Sequence, residues 1–316
     1  MITIKYLNWW RCIKKFDFFY FFIKKYISDE VQIIKDYKVT NDNANILFCS
    51  VFGPLDNVIQ YKKLNKNCLV VFFTGECTDH PIHKDKDYEY INIADISLGF
   101  KNIQNPNYIR FPLWMTYINT NLNCGKQCMS IKDIHNKTLY DISKNKNKNK
   151  FCCILSSHDN FNTRTDIFNI LNNYKKVDSG GKWKHNIDTI VSNGIDNKLE
   201  WLSNYKYNIC NEPLISEGYV TEKIFQSLFA GCIPIYITDN NNDLIEPEII
   251  NQNIIIKYNK NNINNVLDKI NYLEKNNDKY IEFLKQPILN DKACIIINNK
   301  YNEFSNLIKN KMNLVI

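Results

Sequence analysis

Short unbroken apolar runs alternate along this chain with longer mixed stretches. Residues 45–51 (NILFCSV) and 68–74 (CLVVFFT) are rich in Val, Ile, Leu and Phe and bounded by turn formers, the mark of strands buried on both faces. Between them, residues 55–64 are long enough for a helix. Residues 88–96 and 108–111 read as two further strands. The run SKNKNKNK at 143–150 has no apolar residue and reads as a solvated linker. The alternation then restarts, with strands predicted at 151–156, 207–210 and 232–237 and helices at 165–172 and 221–230, the second closed by Gly231. Residues 259–277 set apolar positions among Asn at near-helical spacing. Two βαβ-type halves predict an α/β protein of two doubly wound domains, with ligands at the carboxyl ends of the strands in a cleft between them.

The N-terminal part carries an apolar run at 18–23, preceded by Asp17 and followed by Lys24 and Lys25. It falls far short of the ~20 residues of a spanning helix, and no small-residue cleavage site follows it. With Trp9, Trp10, Lys14 and Lys15 it could make a peripheral contact with a membrane surface. The favoured expectation is an aromatic helix or strand packed on the first domain, because its polar face is not cleanly segregated.

Length and composition narrow the class. The chain has 316 residues, consistent with two domains. Hydrophobic residues at 44% exclude a disordered chain, and 9 Gly with 8 Pro exclude a collagen-like one. A net charge of +7 suits an anionic small ligand but is too weak to imply nucleic acid. Abundant Asn and Lys fit an AT-biased genome. The 11 cysteines are an odd number, and Cys49, Cys152, Cys153, Cys210 and Cys232 sit in apolar runs. Buried thiols in a reducing compartment explain this, so a cytoplasmic location is expected. Cys124 and Cys128 lack the two further ligands that zinc requires. Asp85-Lys-Asp87 has the D-x-D form that holds a metal and a diphosphate elsewhere, and Pro81 breaks any helix that would pair His80 with His83. Neither is expected to bind metal.

The most informative stretch is 205–238. A strand ends in a loop holding Glu212, and a Gly-containing turn leads to a helix opened by Thr221, Glu222 and Lys223. Thr221 is placed to cap that helix. Its N-terminus offers unpaired N–H groups to an anion, Lys223 adds a full charge, and Glu222 can accept hydrogen bonds from sugar hydroxyls. Cation and acceptor at one helix start suit a nucleotide sugar; an ordinary helix with a capping acid and a solvated lysine is the competing reading.

Gly218-Tyr-Val-Thr-Glu-Lys223 followed by Ala230-Gly-Cys-Ile-Pro-Ile235 resembles the signature of the α-1,3/1,4-fucosyltransferases. Val177-Asp-Ser-Gly-Gly-Lys182, the loop from Ser156 to Arg164, and Phe73-Thr-Gly-Glu76 are similar to further segments of that family, in its order. The same holds for 95–100 and 108–114. The chain departs from the family's habit in three places: Pro213 after the loop glutamate, His158 in the strand-end loop, and Asp-Asn-Asn after Thr238. The resemblance implies an inverting glycosyltransferase of GT-B architecture, with an acceptor-binding domain over 1–145 and a GDP-sugar domain over 146–316, the last helix being free to pack back on the first domain. It implies transfer of L-fucose from GDP-fucose to an acceptor glycan in α-1,3-type linkage, with no cofactor and no metal. Glu76 would be the base that takes the acceptor proton, and Arg164, Glu212, Tyr219, Glu222 and Lys223 would bind the donor. Another nucleotide-sugar donor, or a non-catalytic glycan-binding relative, remains the alternative.

Overall fold

The computed structural model describes residues 1–10, 17–120, 122, 128–146, 148–238 and 244–313. The chain divides into two compact units, Met1–Cys128 with Ile297–Ile316, and Met129–Ile296.

The first unit is built on a six-stranded parallel sheet. Its strands are β1 (Ile2–Leu7), β2 (Val31–Ile34), β3 (Ile46–Cys49), β4 (Leu69–Phe73), β5 (Ile96–Gly99) and β6 (Tyr108–Arg110), in the order β2-β1-β3-β4-β5-β6. Every residue of β3 and β4 is buried, because both faces of the sheet are covered. On one face α2 (Leu55–Leu64) and α3 (Lys86–Ile91) supply Val58, Tyr61 and Tyr90 to a core with Leu47, Val70 and Phe72. On the other, α1 (Phe18–Tyr26) sets Phe19 4.8 Å from Phe48 and Phe22 4.7 Å from Phe304 of α10 (Ala293–Lys311). Tyr301 of α10 donates to the carbonyls of Met115 and Ile118, the second of these in β7 (Ile118–Asn119). The aromatic run near the N-terminus is therefore core: Phe18, Phe19, Phe22 and Ile23 are buried.

Residues 88–96 are not a strand. They hold the end of α3, a turn, and the first residue of β5. The alternation of Tyr, Glu, Tyr, Ile, Asn and Ile imitates a two-residue period, but tertiary contacts decide the matter. Tyr90 stacks on Phe72 at 4.2 Å, Tyr88 is exposed, and Asp87 at the helix start is buried against Thr78 and Lys101.

The second unit carries β8 (Met129–Ser130), α4 (Leu139–Ser143) and a five-stranded parallel sheet. The sheet comprises β9 (Lys150–Ile154), β10 (Val177–Ser179), β11 (Tyr205–Ile209), β12 (Ile233–Ile237) and β13 (Ile256–Tyr258), ordered β10-β9-β11-β12-β13. Its helices are α5 (Thr165–Tyr174), α6 (Ile195–Leu202), α7 (Glu222–Phe229), α8 (Ile263–Lys275) and α9 (Asn277–Leu284). Gly231, at φ +73°, closes α7 with hydrogen bonds from Gly231 N to Leu228 O and from Cys232 N to Ser227 O. The polar run before β9 is not wholly solvated: Lys148 Nζ donates to the carbonyls of Tyr205 and Ala230 at 2.7 and 3.1 Å. No helix among the described residues is long and apolar enough to cross a membrane.

Candidate active site

In a doubly wound sheet, the loops at the carboxyl ends of the strands splay apart where the strand order reverses, and ligands bind in that crevice. The second unit reverses between β9 and β11. The loop after β9 delivers Arg164, and the loop after β11 delivers Glu212. The sequence-predicted donor residues thus converge at the switch point.

Arg164 ends its loop at the N-cap of α5 and is only 3% exposed. Its Nη1 donates to His158 O at 2.7 Å and its Nη2 to Asn211 O at 3.0 Å, so one guanidinium ties the two strand-end loops together. Burial pulls its pKa below the ordinary arginine value, with the Glu212 and Asp159 carboxylates opposing; an arginine still stays charged. Asp159 shapes the loop by accepting from the amides of Arg164 and Thr165 and from the Thr165 hydroxyl. Gly181 lets the next segment lie against it, since a Cβ there would meet Ser156 O at 2.0 Å.

Glu212 is 3% exposed and heavily engaged. Its Oε1 accepts from Thr221 N at 2.8 Å and from Tyr236 Oη at 3.4 Å, and its Oε2 accepts from Lys223 Nζ at 3.0 Å. The Thr221 hydroxyl donates to the same carboxylate and accepts from Lys223. Thr221 is the N-cap of α7 by position, but its side chain bonds no helical amide and serves Glu212 instead. Burial lowers the Lys223 pKa, yet the carboxylates of Glu212 and Glu222 and the hydrogen bond to Glu212 outweigh it, so the ammonium is held above the usual lysine value. Its side chain is 27% exposed, open enough to meet a ligand. Glu222 is half-buried at the first position of α7, and Tyr219 is 7% exposed just after Gly218, which sits at φ +73°.

Sequence reasoning missed Asn211. Its side chain accepts from Ile237 N at 2.8 Å and donates to Thr163 O at 2.7 Å and to the Tyr258 hydroxyl, joining β11, β12, β13 and the Arg164 loop. A polar residue one position past the strand predicted at 207–210 was the available signal. The residues after Thr238 that depart from the family pattern, 239–241, lie outside those described, as does Cys124.

The first unit reverses between β1 and β3. Glu76 follows β4, in a turn where Thr74 Oγ1 donates to Glu76 O and accepts from Glu76 N. Trp10, after β1, donates its indole N–H to Glu76 Oε1 at 3.1 Å. Gly75 makes room for this arrangement: a Cβ there would lie 2.6 Å from Leu113 and 3.2 Å from Trp10. Nearby, Lys101 pairs with Asp79 and Asp87 at 2.8 and 3.0 Å and pins the segment beyond. Asp87 is thereby held in an ion pair, and Asp85 stands at the N-cap position of α3 at φ +60°, its side chain making no capping hydrogen bond.

Comparison with known proteins covers both units. Residues 144–287 match the glycosyltransferase family 10 (fucosyltransferase) C-terminal model, and residues 8–117 match the N-terminal domain of alpha-(1,3)-fucosyltransferase FucT. The alpha-(1,3)-fucosyltransferase FucT of Helicobacter pylori is 23% identical over 92% of this chain, and the chain spans 60% of that relative's length. A crystal structure of an alpha1,3-fucosyltransferase with GDP-fucose superposes with a TM-score of 0.66 at 21% identity, covering 98% of this chain and 90% of that one. A second crystal structure of an alpha1,3-fucosyltransferase gives 0.69 at 22% identity over the same shares. The likeness to these structures is one of fold. Together the two family models take in most of both units: the chain belongs to the glycosyltransferase family 10 fucosyltransferases.

Proposed function

We propose that this protein transfers L-fucose from GDP-fucose to a hydroxyl of an acceptor glycan in α-1,3-type linkage, with inversion at the anomeric carbon. The observation that carries the reading is the cluster of Arg164, Glu212 and Lys223 at the switch point of the second sheet, inside the segment that matches the family. Arg164 and Lys223 would neutralise the diphosphate as it leaves, assisted by the α7 N-terminus. Glu212 serves the donor by holding Lys223, and Tyr219 and Glu222 border the same helix start. Glu76 would take the proton of the attacking hydroxyl while GDP departs from the opposite face, through an oxocarbenium-like state. Cationic side chains make a divalent ion unnecessary. Buried free thiols such as Cys49, Cys152 and Cys210 accord with a reducing compartment, and we place the protein in the cytoplasm.

A thermal-shift series with GDP, UDP, ADP and their sugars tests donor class, and GDP release in the presence of an oligosaccharide panel tests transfer. Stabilisation by GDP and GDP-fucose alone, with fucosylated product formed in excess EDTA, is expected. Preference for a uridine or adenosine nucleotide would overturn the donor, and Mn²⁺-reversible loss of activity would overturn metal independence.

A further inference from the structure

Phe52 stands in the turn after β3 and is 42% exposed, yet its ring is held in place. Its centroid lies 5.0 Å from that of Trp10 and 5.5 Å from that of His83, the imidazole meeting it edge-on. The turn itself is fixed by Asn8, whose Nδ2 donates to Pro54 O at 2.7 Å. Gly53 packs so closely that a Cβ there would stand 2.1 Å from Asn8 Oδ1. Trp10 is in turn bonded to Glu76. A large apolar ring is thus kept rigid and open to solvent, one indole away from the carboxylate read here as the base.

We propose that Phe52, backed by Trp10 and His83, is a stacking platform for a pyranoside ring of the acceptor, which presents its hydroxyl toward Glu76. This rests on the transferase reading above and adds the surface that would hold the acceptor. The chemistry fits a sugar. One face of a β-pyranoside is a patch of weakly positive C–H bonds, and the face of an aromatic ring is negative. The sugar's hydroxyls radiate around that patch, where Glu76 offers an acceptor. His83 brings no competing charge: burial pulls its pKa below the ordinary imidazole value, ahead of the opposing pull of Glu76. A protein partner would need a far larger apolar surface than one ring with its neighbours.

Saturation-transfer NMR with methyl β-galactoside, methyl β-glucoside and their β-1,4-linked disaccharides as probes, alongside transfer kinetics, tests the platform in wild type, Phe52→Ala and Phe52→Tyr. Wild type should show transfer to the C–H face of a probe, Phe52→Ala should weaken probe binding and raise the acceptor KM about five- to tenfold, and Phe52→Tyr should restore both. GDP affinity should hold in all three. Failure of every probe to bind wild type, or an unchanged acceptor KM in Phe52→Ala, would overturn the platform while leaving the transfer reading intact. Probe binding that depends on Phe52 without any turnover of GDP-fucose would instead keep the platform and overturn the transfer reading.

Discussion

Lys223 Nζ donates to Glu212 Oε2 at 3.0 Å, and Glu212 also accepts the amide of Thr221, so one buried carboxylate holds both the cation and the cap of α7. Glu212→Gln keeps the shape and an acceptor oxygen but removes the charge that restrains Lys223. Stability should fall by roughly 1–3 kcal/mol, and GDP affinity should fall with it. Urea unfolding and calorimetric titration with GDP read the two effects. If neither moves, the carboxylate has no part in arranging the helix start.

Lys223→Ala and Arg164→Ala should each cost about tenfold or more in GDP affinity, roughly 1.5–3 kcal/mol. The arginine has a second duty, since its guanidinium bridges the carbonyls of His158 and Asn211. Arg164→Lys restores the charge without the planar two-carbonyl bridge. It should therefore recover only part of the affinity and remain less stable than wild type. Calorimetry that gives wild-type affinity for both alanine variants would refute the diphosphate role.

Glu76→Gln can still accept the indole N–H of Trp10 through its amide oxygen, but it cannot take a proton. Transfer should drop by roughly 10²–10⁴, with GDP titration unchanged because the variant lies in the other unit. A near-normal transfer rate would move the base elsewhere, and Glu89 or Asp95 would be examined next. Loss of GDP binding as well would make Glu76 structural.

Asp17 links stability to pH. Burial pushes its pKa up to about 6, against hydrogen bonds from the Tyr6 hydroxyl and the Tyr20 amide. The folded chain then keeps a proton between about pH 4 and pH 6 that the unfolded chain has released. The contribution to stability is full below the unfolded value and is lost as pH rises through that window, by roughly 2–3 kcal/mol. Asp17→Asn keeps a cap on α1 and should flatten the dependence. Denaturant unfolding at pH 4 and pH 7 checks this; parallel slopes for wild type and variant would exclude Asp17 as the source.

The buried parallel strands β3, β4, β9 and β12 were legible because each is built on an apolar run between turn formers, and α2, α5 and α7 because each has a clear start and end. The inner strand β1 was not, since Lys5 in its middle reads as solvent-facing. The fold buries that lysine completely, paired with Asp42 beside Tyr61. At the switch point of the second sheet, residue types were legible and their partners were not. Nothing in the sequence tells that Thr221 serves Glu212 rather than its own helix, or that Asn211 joins three strands, because both depend on which loop ends meet across the sheet.

The tether of Lys148 has a consequence for how this sequence can drift. Seven of the eight residues from 143 to 150 after the first are an alternation of Lys and Asn, chemically monotonous and cheap for a biased genome to produce. One of those lysines reaches two main-chain oxygens, at the first residue of β11 and at the end of α7. Slipping the alternation by one residue would put an asparagine there, whose side chain is too short and carries no charge. A stretch that looks like compositional noise therefore has a phase, and selection can see it.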